Sequence, residues 1–173
     1  MNQKRRYMEQ LACLMEEEKH HLHRYACYKI GDADEADDIL QEMFHILLMF
    51  QHFQFLLAKV DNMRNYLYRT LANQCGMLLR ERQKRPEVSV ENLELLQLEE
   101  FIPESFEQEF RLINRLLSEI PTEQSEVIRL HIHGGRTFTD IAAILDAPLP
   151  TVKARYRYGI DKLRDGLHKH HLD

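Results

Sequence analysis

The chain has 173 residues, six glycines, five prolines, no tryptophan and a net charge of −5 at neutral pH. That length accommodates one medium domain or two small ones, and few helix breakers among many Leu, Glu, Arg and Gln predict an all-α protein. No apolar run is long enough to span a membrane, so membrane insertion is not expected. The opening apolar patch is interrupted by Glu16, Glu17 and Glu18 and does not read as a secretory signal, which makes the cytoplasm the expected compartment. Cys13, Cys27 and Cys75 are odd in number and form no CxxC, which argues against a disulfide framework and against a thiolate metal site.

In chain order, residues 3–30 carry Leu11, Leu14, Met15, Leu22, Tyr25 and Ala26 at loose helical spacing. Gly31-Asp32 is a stop, and Asp32 or Asp34 can cap the next helix. Residues 34–57 repeat apolar side chains at Ile39, Leu40, Met43, Phe44, Leu47 and Leu48. A polar break at 60–65 precedes a helix over 65–84 with Leu67, Leu71, Cys75 and Leu78 on one face. Pro86 ends it, because the residue before a proline avoids helical backbone. Residues 86–108 are acidic and mixed, with room for a short helix around 91–100, and 109–119 read as helix packing Phe110, Ile113, Leu116 and Leu117. Three short helices close the chain. The first covers 122–133 and stops at Gly134-Gly135. The second covers 138–145, opened by a Thr137/Asp140 capping box with Phe138, Ile141, Ala142 and Leu145 inward. The third begins at Pro150, with Val152, Tyr156, Ile160, Leu163 and Leu167 as its stripe.

Charge is uneven: +1 over residues 1–85, −7 over 86–120 and +1 over 121–173. The expected organisation is therefore two small helical domains, 1–85 and 112–173, joined by an acidic linker at 86–111. The last two helices and their tight turn have helix-turn-helix spacing. With Val152 and Tyr156 inward, Thr151, Lys153, Arg155 and Arg157 are left for a major groove, where Arg and Lys bond guanine edges or neutralise phosphates. Arg136 and Thr137, at the start of the supporting helix, are placed to grip phosphate. A solvated basic face on an ordinary bundle satisfies the same spacing.

The run from Pro121 to Leu167, with its Thr151-Val152-Lys153-x-Arg155 core, resembles the C-terminal domain of extracytoplasmic-function (ECF) sigma factors of the sigma-70 family. Residues 34–50, containing Asp37-Asp38-x-x-Gln41-Glu42-x-Phe44, and residues 62–85, with Tyr66, Leu67, Arg69 and Asn73, resemble the same family. The resemblance implies an alternative sigma factor that directs bacterial core RNA polymerase to promoter DNA, is answerable to an anti-sigma factor, and is not itself an enzyme. It implies polymerase docking by Asp38, Gln41 and Glu42 with Phe44 as anchor. It also implies DNA contacts by Asn62, Arg64, Arg69, Asn73, Arg80, Arg82 and Arg85 at the minus-ten element. Arg136, Thr137, Thr151, Lys153, Arg155 and Arg157 would serve the minus-thirty-five element. Holding an unpaired strand calls for such cations along the backbone. The chain departs from the family pattern at Asp146, where glycine is common, and at Gly159-Ile160-Asp161, which is less basic. Two other readings fit: a helix-turn-helix regulator that binds an operator without polymerase, and a sigma-like decoy that occupies polymerase or an anti-sigma factor.

Ten histidines include the groups His20-His21-His23, His131-x-His133 and His168-x-His170-His171. None pairs with a clear third ligand, so no metal and no cofactor are expected. The acidic run from Asp32 to Asp38 lacks the glycine and closing glutamate of a calcium loop. No glycine-rich phosphate loop, HExxH or nucleophile elbow occurs.

Overall fold

The computed structural model of the chain describes residues 2–49, 62–85 and 104–170, and among them every regular element is helical. The second predicted helix beyond residue 49, the suggested helix at 91–100 and most of the acidic linker lie outside the described residues. The chain separates into two units, Met1–Leu96 and Gln97–Asp173.

The first unit packs α1 (Asn2–Ile30), α2 (Ala33–Met49) and α3 (Met63–Lys84) against one another. α1 ends because Gly31 adopts φ 81°, a left-handed conformation that only glycine enters without a Cβ clash. Its N–H closes the last turn on Cys27 O at 2.7 Å. Asp32 then caps α2, its carboxylate accepting from Glu35 N at 2.9 Å. The stripe expected on α1 is buried at Leu11, Met15, Leu22, Tyr25 and Ala26, with Leu14 half-buried. From α2 come Ala36, Leu40, Met43 and Leu47, and from α3 Leu67, Leu71 and Cys75. Phe44, Ile39 and Leu48 are only half-buried, at the border of the core.

Two polar ties cross this core. Glu18 is buried, accepts from Tyr68 Oη at 2.8 Å and pairs with Arg64 Nε at 2.7 Å. Arg82, near the end of α3, donates to Ile30 O at 2.9 Å and pairs with Glu35, fixing α3 to the α1–α2 corner.

The second unit contains α4 (Glu104–Glu119), α5 (Thr122–Ile128, continued by a π-helical turn Arg129–His133), α6 (Phe138–Leu145) and α7 (Leu149–His170). α4 starts five residues ahead of the expected 109, directly after Pro103. α7 packs on α4, α5 and α6, around Leu116, Leu117, Val127, Ile128, Leu130, Ile141, Ile144 and Val152. Ile144 takes the core place expected of Leu145, which is half-buried with Phe138 and Ala142. Ile113 is exposed rather than packed. α7 begins at Leu149, so Pro150 is its second residue. It is still in the first turn, where a missing N–H breaks no helical hydrogen bond. Among the described residues no helix is long and apolar enough to cross a membrane.

Candidate nucleic-acid interface

The helix-turn-helix is assembled by local devices. Thr137 and Asp140 form the expected capping box: Thr137 Oγ1 accepts from Asp140 N at 3.1 Å, and Asp140 Oδ2 accepts from Thr137 N at 3.4 Å. α6 ends at Asp146, the one non-glycine residue with positive φ among those described (φ 50°, ψ 50°). Asp146 N donates to Ala142 O, and Ala147 N to the same carbonyl at 3.0 Å. Aspartate pays a Cβ penalty in this conformation that glycine does not. Asp146→Gly is therefore expected to stabilise the C-terminal unit by roughly 0.5–1 kcal/mol. Scanning calorimetry checks this, and a lowered midpoint would show that the aspartate side chain contributes more than its strain costs.

Before α6, the π-helical turn closes with Gly134 N on Arg129 O at 3.0 Å. The widened turn buries Arg129, Leu130 and His133 together. Arg129 Nη1 donates to the buried Ser125 hydroxyl at 3.0 Å. His131 donates from Nδ1 to Arg136 O at 2.7 Å, a direction set by the carbonyl having no proton to give. Its ring stacks on Phe138 at 4.5 Å and meets Tyr156 edge-on at 5.0 Å. Turn, supporting helix and recognition helix are thus pinned through one aromatic cluster.

Side chains expected to face DNA fall into two groups. Lys153 and Arg157 are exposed on α7, and Thr151 is half-buried at its start. Arg157 lies over the Tyr158 ring at 5.1 Å. Arg155 and Arg136 are placed differently from their sequence expectation. The Arg155 side chain is 27% exposed and pairs with Glu123 of α5 at 3.2 Å. Arg136 is buried and its Nε donates to Gly134 O at 3.0 Å, so it holds the glycine turn from inside. Thr137 Oγ1 donates to Asp140 Oδ2 at 2.8 Å within the capping box.

In the first unit, Arg69, Asn73 and Arg80 are exposed and share one face of α3, at spacings of four and seven residues. Arg85 is exposed at the helix end. Asn62 is the N-cap of α3, accepting from Asn65 N at 3.0 Å. Arg64 and Arg82 are engaged in the ties to Glu18 and Glu35 described above. On α2, Asp38, Gln41 and Glu42 are exposed on a common face, with Phe44 half-buried beside it. Behind that helix, His23 Nε2 meets Asp37 at 3.2 Å. Burial, then the charges of Asp37 and Asp32, push the Cys27 thiol up to about 12. It stays protonated at neutral pH and is no nucleophile.

Residues 116–165 match the family model "Sigma-70, region 4". That segment, under a third of the chain, is thus similar to region 4 of sigma-70 factors. The matched segment spans the end of α4 and all of α5 to α7 except the last residues of α7. The fold of the whole chain is similar to that of the sigma factor RpoE from Bartonella quintana, solved as a complex with the anti-sigma factor NepR. The TM-score is 0.67 at 20% identity, covering 92% of this chain and 95% of that one. No curated protein matches the chain.

Two features of region 4 escaped sequence reading. The π-helical turn has no composition signal, since Arg-Leu-His-Ile-His reads as ordinary helix. Gly159, noted only for its lack of charge, is buried against α5. A Cβ built there meets Ile128 Cδ1 at 2.7 Å and Gln124 Cβ at 3.2 Å, so glycine permits the close approach of α5 and α7. The signal was available: a glycine inside a helical pattern usually has a packing reason. Among the described residues no three His, Cys, Asp or Glu side chains converge on a metal site; His23 and His131 are engaged as given above.

Proposed function

We propose that the chain is an alternative sigma factor of the ECF type, which binds bacterial core RNA polymerase in the cytoplasm and directs it to specific promoters. The observation that carries this reading is the region 4 match over a complete helix-turn-helix, set in a chain whose fold is similar to that of a sigma factor. The reading assigns no catalysis to the chain, because bond making belongs to the polymerase.

Residues 1–85 are assigned to polymerase binding and the minus-ten element, 112–173 to the minus-thirty-five element, and the acidic stretch 86–111 to the tether between them. Negative charge on a tether that crosses a channel built for nucleic acid keeps it from binding DNA in its own right. Two weak grips on one duplex then reinforce each other through effective concentration. In the first unit, the exposed Arg69, Asn73, Arg80 and Arg85 are assigned to a single strand. Asn62, Arg64 and Arg82 belong to the same proposed surface, but Asn62 also caps α3 and Arg64 and Arg82 also tie α3 to its neighbours, so their loss affects fold and binding at once. In region 4, Thr151, Lys153, Arg155 and Arg157 face the major groove. Thr137 sits at the backbone, and Arg136 serves there by shaping the turn. An anti-sigma factor is the expected regulator, by analogy with the RpoE–NepR complex.

Asp38, Gln41 and Glu42 form the polymerase-docking face. Asp38→Ala combined with Gln41→Ala is expected to weaken core binding about tenfold or more, on the scale of two polar interface contacts, with helix content unchanged. Fluorescence anisotropy of the labelled chain titrated with core polymerase measures it, and unchanged affinity would remove α2 from the docking surface. The proposal as a whole is tested by transcription in vitro. Core polymerase plus this chain should start at discrete sites in a library of genomic fragments where core alone starts at none.

A further inference from the structure

Of Lys153, Arg155 and Arg157, Arg155 is the one that is half-buried, and it is paired with a carboxylate of another helix. Its side chain keeps 27% of its exposure and meets the Glu123 carboxylate at 3.2 Å, while Glu123, in the first turn of α5, is 71% exposed. The pairing depends on how near α5 and α7 come. One turn along from Arg155, Gly159 is buried, and a Cβ there would run into Ile128 and crowd Gln124, leaving no room for a larger residue. That approach brings the start of α5 within reach of the Arg155 guanidinium. Its neighbours Lys153 and Arg157 are exposed, and Arg157 rests on the Tyr158 ring.

We propose that Glu123 sets the specificity of promoter reading by holding Arg155 in an ion pair, so that this arginine answers to a base edge and not to any phosphate. This rests on the promoter-reading role proposed above. Free cations on a recognition helix bind every phosphate backbone alike and carry no sequence information. A guanidinium already neutralised by a carboxylate gains little from one phosphate, because it must give up or share a partner of the same charge. A bidentate guanine contact supplies two aligned acceptors and is strong enough to redirect the group. Glu123 thereby removes one cation from sequence-independent binding and keeps it oriented for the groove.

The test compares core polymerase loaded with wild-type chain, Glu123→Gln, Arg155→Ala and the double variant, on a random-sequence duplex and on upstream elements selected from a randomised promoter library. The core is common to all four, so differences belong to the chain. Glu123→Gln should bind the random duplex roughly 2- to 5-fold more tightly at low salt, the scale of one exposed ion pair. Its salt dependence should steepen by about 0.9 in log–log slope, one counterion, while the preference for selected elements falls. In the Arg155→Ala background the same change should shift neither slope nor preference. An unchanged slope in Glu123→Gln overturns the proposal. An equal shift with and without Arg155 overturns it too, because Glu123 would then act only as a charge near DNA. If Arg155→Ala leaves recognition of selected elements intact, the promoter-reading role of Arg155 fails and this inference falls with it. If Arg155→Ala weakens recognition and Glu123→Gln does nothing, only the inference fails.

Discussion

Tyr68→Ala is expected to destabilise the N-terminal unit by about 3–5 kcal/mol, the range for removing a large buried aromatic side chain. Tyr68 has no exposed surface, packs edge-on against Tyr25 with ring centres 6.3 Å apart, and donates its hydroxyl to the buried Glu18 carboxylate at 2.8 Å. Truncation opens a cavity between α1 and α3 and leaves a buried carboxylate with one donor fewer. Tyr68→Phe separates the two effects. It keeps the ring and removes only the hydroxyl, so it should cost about 1–3 kcal/mol, the value for a hydrogen bond to a charged group. Because the chain has two units, a single global midpoint would blur the result. Amide hydrogen exchange over α1 and α3 localises it: protection should fall there and stay unchanged over α5 to α7. A loss spread evenly over both units would mean that the N-terminal core does not turn on Tyr68.

Arg155→Ala is expected to weaken binding to the upstream promoter element by about 1–3 kcal/mol, roughly 5- to 150-fold in affinity, with core binding unchanged. The oriented guanidinium that Glu123 holds for the base edge is lost. The loss should depend on sequence, large on duplexes that carry the preferred upstream element and small on those that do not. Band-shift titration of the holoenzyme on matched and scrambled upstream elements measures both. Equal losses on both would reduce Arg155 to a phosphate contact, and no loss would remove it from the interface.

What could be read in advance follows the range of the forces involved. The start of α6 was legible because Thr137 and Asp140 are three residues apart and cap each other without help from the rest of the chain. The end of α1 was legible for the same reason: Gly31 takes a left-handed backbone conformation that glycine enters without a Cβ penalty. Leu67, Leu71 and Cys75 keep helical spacing and are buried as that spacing demands. The start of α4 was missed because Glu104–Gln108 carry few apolar residues, so periodicity is silent there even though Pro103 marks the boundary. Glu18 was missed although it stands at helical spacing between Met15 and Leu22. A glutamate on an apolar stripe asks for a partner, and its partners Arg64 and Tyr68 lie about fifty residues away. The same distance effect governs the candidate site. The exposure of Lys153 and Arg157 follows from their place on α7, but the capture of Arg155 by Glu123 and of Arg82 by Glu35 depends on how helices pack, which spacing along one helix does not encode.

The central claim, that this chain is a sigma subunit, is tested most directly by competition for purified bacterial core RNA polymerase against a labelled housekeeping sigma factor. The chain should displace the label at sub-micromolar concentration, and the Asp38→Ala, Gln41→Ala double variant should need about tenfold more, in line with two lost polar contacts. A folded chain, free of any inhibitor, that displaces nothing at tens of micromolar would contradict the claim and leave a helix-turn-helix protein that acts on DNA without polymerase.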